Sequence, residues 1–276
     1  IPASNQKIIT AATALRELGE HYEFRTTLAA SGQMRDDGTL AGDLVLRGGG
    51  DPTLGSPSCK FEPLLMAHPG VGSQGRAEAP RPALQAQSTA EADPAQDEPD
   101  NAFAAWAEML AQRGVRRIAG DLIVDDSMLD RQHFHPDWPD SQQWRYYCAP
   151  VGAAAFQDNC VQVQVKPGAK PGAAARVTLL PDCPSLKVVN RCKTSTKRHS
   201  VWFERKPGSA TITVGGWVRK GSAGYTGRVT VPDPAAFAGE ALAGALRDAG
   251  VRLDGRIRTA AARDLASRDD WRPLAE

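Results

Sequence analysis

The sequence predicts a nested α+β fold, and three observations lead to it. A single helix opens the chain, a helix–turn–strand unit occurs twice, and a strand-rich block lies between the two occurrences. The simplest architecture is a small all-β domain (161–230) inserted between the halves of an α+β domain (27–160 and 231–264). That host is itself inserted after the first helix of another domain (1–26), towards which 265–276 return.

Each element follows from local pattern. Ser4 to Leu18 reads as a helix, with Ile8, Ala11, Ala12, Leu15 and Leu18 at helical spacing and Gly19 as the stop. Phe24–Leu28 and Gly42–Arg47 read as strands, the second running into Gly48-Gly-Gly-Asp-Pro-Thr-Leu54. From 56 to 101 Ala, Pro, Gln, Glu and Ser dominate, the composition of a disordered, solvated insertion without a packed core. Phe103 to Gly114-Val, then Ile118-Ala-Gly-Asp-Leu-Ile-Val124, gives a helix, a tight turn and a strand. Phe237 to Ala249, then Gly250-Val and Gly255-Arg-Ile-Arg258, repeats it. The repeat is a supersecondary echo in which an Ala/Leu helix face covers the strand after the glycine. Between them Val161, Val163 and Val165 alternate with glutamines, as in a strand with one buried face. Val177–Leu180, Ser200–Glu204 and Thr211–Val214 read likewise.

Bulk composition narrows the classes. With 276 residues the chain is long enough for two or three cores, and 41% hydrophobic with 24% charged residues is ordinary for a globular protein. A net charge of +1 without a long basic run gives no reason to propose nucleic acid. No apolar stretch approaches the roughly 18–20 residues that span a bilayer. Nothing before Ser4 resembles a signal peptide, and the chain, opening three residues before a catalytic-type motif, reads as lacking its true start.

Five cysteines occur, at 59, 148, 160, 183 and 192, none in C-x-x-C spacing. Cys148/Cys160 and Cys183/Cys192 are close enough in sequence to close short disulfide loops in an oxidising compartment, with Cys59 left over. Free buried thiols in a reducing compartment are the equal alternative. No cofactor is indicated. His133 and His135 alternate along an extended segment but lack third and fourth partners, so no metal site is expected. Gly48-Gly-Gly-Asp51 lacks P-loop spacing and its lysine, and reads as a turn.

The chemistry sits at the start. Ser4-Asn-Gln-Lys7 is S-x-x-K at a helix N-terminus, and three residues of helix bring both side chains onto one face. A lysine there can take the serine proton if its pKa is lowered, and the helix N-terminus favours a developing alkoxide. Taken alone the tetrapeptide is better described as a serine cap beside an exposed lysine. The run after Lys7 is small and apolar nearly all round, as in a helix buried through a domain centre.

Pro2-Ala-Ser-Asn-Gln-Lys-Ile-Ile-Thr-Ala-Ala-Thr-Ala-Leu15 resembles the nucleophile helix of the D-alanyl-D-alanine carboxypeptidase/endopeptidase family of the penicillin-binding protein 4 type. Gly42–Leu54, Gly120-Asp-Leu-Ile-Val-Asp-Asp-Ser127, and Tyr147-Cys-Ala-Pro-Val-Gly152 with Asp158-Asn-Cys160 match in the family's order. The resemblance implies that residues 1–26 begin a serine transpeptidase domain carrying Ser4 as acyl-forming nucleophile and Lys7 as its base. It also implies peptidoglycan stem peptides as substrate, β-lactams as acylating inhibitors, and an extracytoplasmic location. That location favours the pairings Cys148–Cys160 and Cys183–Cys192. In the family the aromatic segment Trp138–Tyr147 approaches the cleft, which makes Asp140 the candidate partner of a cationic substrate amine. Asp51 is expected to cap a strand-to-loop corner.

The family also needs S-x-N and K-T-G motifs. No S-x-N occurs in these residues, and Lys193-Thr-Ser195 is followed by no glycine. These 276 residues alone are therefore expected to be inactive. The competing expectation is a non-catalytic wall-binding or scaffold protein derived from such an enzyme. A β-lactamase-like hydrolase is disfavoured because those lack long insertions after the first motif.

Overall fold

A computed structural model describes residues 3–55, 102–266 and 268–275. The expected insertion at 56–101, with Cys59, lies outside the described residues. A 3-10 turn, Ala3–Asn5, leads into helix α1 (Gln6–Leu18) and four strands, β1 (Thr27–Ala30), β2 (Gln33–Met34), β3 (Thr39–Ala41) and β4 (Leu44–Arg47). Helix α2 (Ala102–Gln112) precedes β5 (Arg117–Ile118) and β6 (Leu122–Asp125). The strand block comprises β7 (Cys160–Lys166), β8 (Arg176–Leu180), β9 (Lys187–Asn190), β10 (Lys193–Ser195), β11 (Ser200–Arg205), β12 (Thr211–Arg219) and β13 (Tyr225–Thr230). Helix α3 (Pro234–Asp248), β14 (Arg252–Leu253), β15 (Ile257–Thr259), helix α4 (Ala262–Ala266) and β16 (Arg272–Ala275) follow. The fold is mixed α+β.

The sequence echo becomes a structural pair. Strands β5 and β14 run parallel with Ile118 opposite Leu253, and β6 and β15 run parallel with Leu122 opposite Ile257. Helices α2 and α3 pack on one another above them. Asp233 caps α3 by accepting the Ala236 N–H at 3.0 Å, and Pro234 fills the first helical position, where no N–H is needed. Phe237, Ala238, Leu242 and Leu246 then face the core, each large side chain worth roughly 1.5–3 kcal/mol of burial.

The five-stranded sheet has the order β15-β6-β4-β1-β16, and a smaller sheet runs β14-β5-β3-β2. Residues 272–275 pair antiparallel with β1 and form an edge strand. The edge of β1 was free to accept them because β4 occupies only its other side.

Within the strand block, β7 pairs antiparallel with β8 and β13, and Val161, Val163 and Val165 are fully buried while Gln162 and Gln164 are half-buried. A second sheet is built around β12, with β11 antiparallel on one side and β9 and β10 parallel on the other. Strands β9 and β10 are short, of four and three residues, and too brief to show an alternating pattern.

One expectation is overturned. Helix α1 buries none of its residues: Ile8 is 70%, Ile9 67% and Leu15 58% exposed. An all-round apolar pattern reports what a helix can bury, and among the described residues nothing covers it.

Candidate active site

Ser4 lies in the 3-10 turn and Lys7 in the first turn of α1, so the two candidate residues share one helical face. Asn5 occupies the cap position in helical conformation and makes no side-chain cap bond, the 3-10 turn running straight into α1. Both Ser4 and Lys7 are exposed.

The third candidate lies on a different element. Asp140 opens a 3-10 turn, is exposed, and accepts a bond from Gln143 Nε2 at 3.1 Å. Among the described residues no hydrogen bond or ion pair joins it to Ser4 or Lys7. The aromatic segment holds Arg145 over the Trp144 ring at 4.5 Å, Arg228 over Tyr146 at 4.6 Å, and Tyr146 edge-on to Tyr147 at 5.5 Å. Tyr146 and Tyr147 remain about half exposed.

The remaining motifs do structural work. In Gly48-Gly-Gly-Asp51, a Cβ on Gly48 would stand 2.3 Å from the Ala153 backbone and one on Gly49 2.2 Å from Arg25. Only glycine passes between those two chains. Asp51 Oδ1 accepts the Thr53 N–H at 2.8 Å, an Asx turn that caps the corner. Asp125 and Asp126 end β6 almost wholly buried, and Asp126 Oδ1 accepts the Ala154 N–H at 2.7 Å while Oδ2 lies 3.5 Å from His133 Nε2. Asn159 Nδ2 donates to the Pro150 carbonyl at 2.8 Å. The Asp126–Ala154 bond, with the Gly50 N–H donating to the Ala153 carbonyl at 2.9 Å, ties the segment 149–159 to the chain that follows β6 and β4, and the Asn159–Pro150 bond braces it internally. Sequence reasoning did not find the Asp126–His133 pairing; the only signal was two consecutive aspartates at a strand end.

Cys148, Cys160, Cys183 and Cys192 are all buried free thiols, so the expected pairings Cys148–Cys160 and Cys183–Cys192 are not formed in this structure. Closeness along the chain does not fix the Cα distance or Cβ direction that a disulfide needs. Cys183 Sγ instead lies 3.5 Å from Ser185 Oγ. Burial pushes the Cys160 and Cys183 thiols up to about 12. His135 Nδ1 accepts the Asp137 N–H at 3.2 Å, and among the described residues no three of His, Cys, Asp and Glu gather as metal ligands.

Comparison with known proteins adds an independent line. The model of the D-Ala-D-Ala carboxypeptidase 3 (S13) family matches residues 1–269. A D-alanyl-D-alanine carboxypeptidase of Actinomadura sp. (strain R39) is 29% identical over 265 residues, covering 93% of this chain and 41% of that protein. D-alanyl-D-alanine carboxypeptidase DacB of Haemophilus influenzae is 22% identical over 179 residues, covering 65% of this chain and 28% of that protein. The chain thus spans less than half the length of these relatives. The crystal structure of penicillin binding protein 4 (dacB) from Haemophilus influenzae shares the fold with a TM-score of 0.62 at 20% identity, over 94% of this chain and 48% of that one. The same protein complexed with a novel β-lactam gives a TM-score of 0.55 at 18% identity. Because the family model spans nearly every residue, from the S-x-x-K turn to the end of the second echo, the chain belongs to the D-Ala-D-Ala carboxypeptidase 3 (S13) family.

Proposed function

We propose that this chain is the nucleophile-bearing part of a serine D-Ala-D-Ala carboxypeptidase/endopeptidase acting on peptidoglycan stem peptides outside the cytoplasmic membrane. The observation that carries the reading is the placement of Ser4 and Lys7 on one exposed helical face at the start of a family match that spans 1–269. Ser4 Oγ attacks the carbonyl carbon of the penultimate D-alanine as Lys7 Nζ takes its proton. The C–N bond breaks, terminal D-alanine leaves with that proton, and water then hydrolyses the Ser4 ester. Backbone N–H groups, one of them from Ser4, hold the oxyanion. β-Lactams acylate the same oxygen, and Asp140 meets a cationic amine of the stem peptide. The nested division given above accounts for the order of elements, with α1 belonging to a transpeptidase domain that covers its apolar faces.

The second reading is a non-catalytic wall-binding relative, and the two differ in whether S-x-N and K-T-G accompany these residues in the complete protein. Release of D-alanine from a synthetic D-Ala-D-Ala peptide separates the two. The first reading expects release by protein that extends through both motifs and none by residues 1–276 alone. Both motifs present without release supports the second.

A further inference from the structure

Charge is unevenly spread along this chain. Residues 185–222 carry nine Lys or Arg and one acid, Glu204, a net +8, while the other 24 basic and 31 acidic residues leave −7 of the overall +1. Eight of the nine cations are exposed; only Arg205 is buried. This segment folds into the sheet of β9, β10, β11 and β12.

The two faces of that sheet differ. Ile212, Val214 and Val218 are fully buried on one side, so Thr213, Gly215 and Trp217 take the other. Phe203 and Arg205 point inward, which turns Trp202 and Glu204 out. Trp202 stands opposite Gly215, and a Cβ on that glycine would come within 2.1 Å of the ring atom Cζ2. The indole therefore lies flat on a glycine seat, with 45% of the residue still exposed. Trp217, one step along the same face, stands opposite Lys193 and Ser200 and under the Arg198 guanidinium at 5.5 Å. Lys187 and the 39%-exposed Val189 continue the face on β9. Covering a strand glycine with a cross-strand aromatic stabilises the pair, but that role calls for no ring of cations.

We infer that this face binds an acidic polysaccharide, with sugar rings stacking on Trp202 and Trp217 and carboxylates or phosphates pairing with Lys187, Lys193, Arg198 and Arg219. The face is open and extended, as a polymer requires, and its charge is complementary to a polyanion. Choosing a glycan over a nucleic acid rests on the wall substrate proposed above.

The test is calorimetric titration of the whole chain with sodium polygalacturonate, with uncharged dextran and poly(dT) as comparators. Polygalacturonate is expected to bind, more weakly in about 0.5 M than in about 0.1 M NaCl as screening sets in. Dextran is expected not to bind, and poly(dT) to bind less tightly. Trp202→Ala and the pair Lys193→Gln/Arg198→Gln should each lose roughly tenfold in affinity, the loss of one good stacking or ionic contact. The paired variant removes only exposed charge, so it remains informative if Trp202→Ala unfolds. Ser4→Ala should bind as wild type, which keeps this result independent of whether Ser4 is acylated. No binding to polygalacturonate, tighter binding of poly(dT), or unchanged affinity in the paired variant would each overturn the inference.

Discussion

Replacing Phe156 with alanine tests how the twin helix–strand units are held to the segment that follows β6. The ring is 1% exposed, stacked on Phe103 of α2 at 4.4 Å and 19°, and tilted against Phe237 of α3 at 5.9 Å. It also lies on Gly55, where a Cβ would come within 2.4 Å of its edge. Three parts of the chain meet on this one side chain. Truncation removes a buried aromatic and leaves a cavity, about 3–5 kcal/mol. The stacked partner adds roughly 0.5–1.5 kcal/mol beyond area. A total loss of about 4 kcal/mol is a large fraction of the ~5–15 kcal/mol typical of a folded domain. Urea unfolding followed by far-UV circular dichroism measures it, with Phe156→Leu as the volume-sparing control, expected to lose less than half as much. A Phe156→Ala loss under about 1 kcal/mol would refute the central position of the ring.

Further outcomes follow from the buried polar network. Asp126→Ala strands the Ala154 N–H in the interior and should cost about 1–3 kcal/mol in the same unfolding assay, with Asp126→Asn milder because an acceptor oxygen survives. The Arg256 N–H and the Arg258 guanidinium hold the Asp121 carboxyl below its usual value, and Arg117 does the same for Asp254. A depressed folded-state pKa contributes stability above the unfolded value of about 4 and loses it as pH falls further. Thermal midpoints should therefore drop below about pH 4, and drop less in Asp121→Asn. Maleimide should leave Cys148, Cys160, Cys183 and Cys192 unlabelled in the native protein and label all four in urea without reductant, read by peptide mass. Resistance to labelling in urea would show disulfides instead.

Much of the fold could be read from residue pattern because its determinants are local. The end of α3 follows from Gly250, while its start lies three residues before the expected Phe237, at the Asp233 cap and Pro234, and the valine–glutamine alternation of β7 reports its buried face directly. What could not be read depends on distant partners. Strands β9 and β10 exist because β12 offers them a parallel edge, and β16 because β1 does. The exposure of α1 is of the same kind: Ile8, Ile9 and Leu15 encode a wish for cover, and no local rule says whether cover is present. At the candidate site, the shared face of Ser4 and Lys7 was legible because one turn of helix fixes it. The Asp126–His133 contact and the flat seat of Trp202 on Gly215 were not, since each joins residues by tertiary packing alone.

The most direct test of the central claim is mass spectrometry of the complete protein carrying this chain after exposure to a labelled penicillin. The account predicts one adduct, on the peptide that contains Ser4, absent in Ser4→Ala and slowed in Lys7→Ala. A wild-type protein that stays unlabelled, or one labelled at another serine, would contradict it.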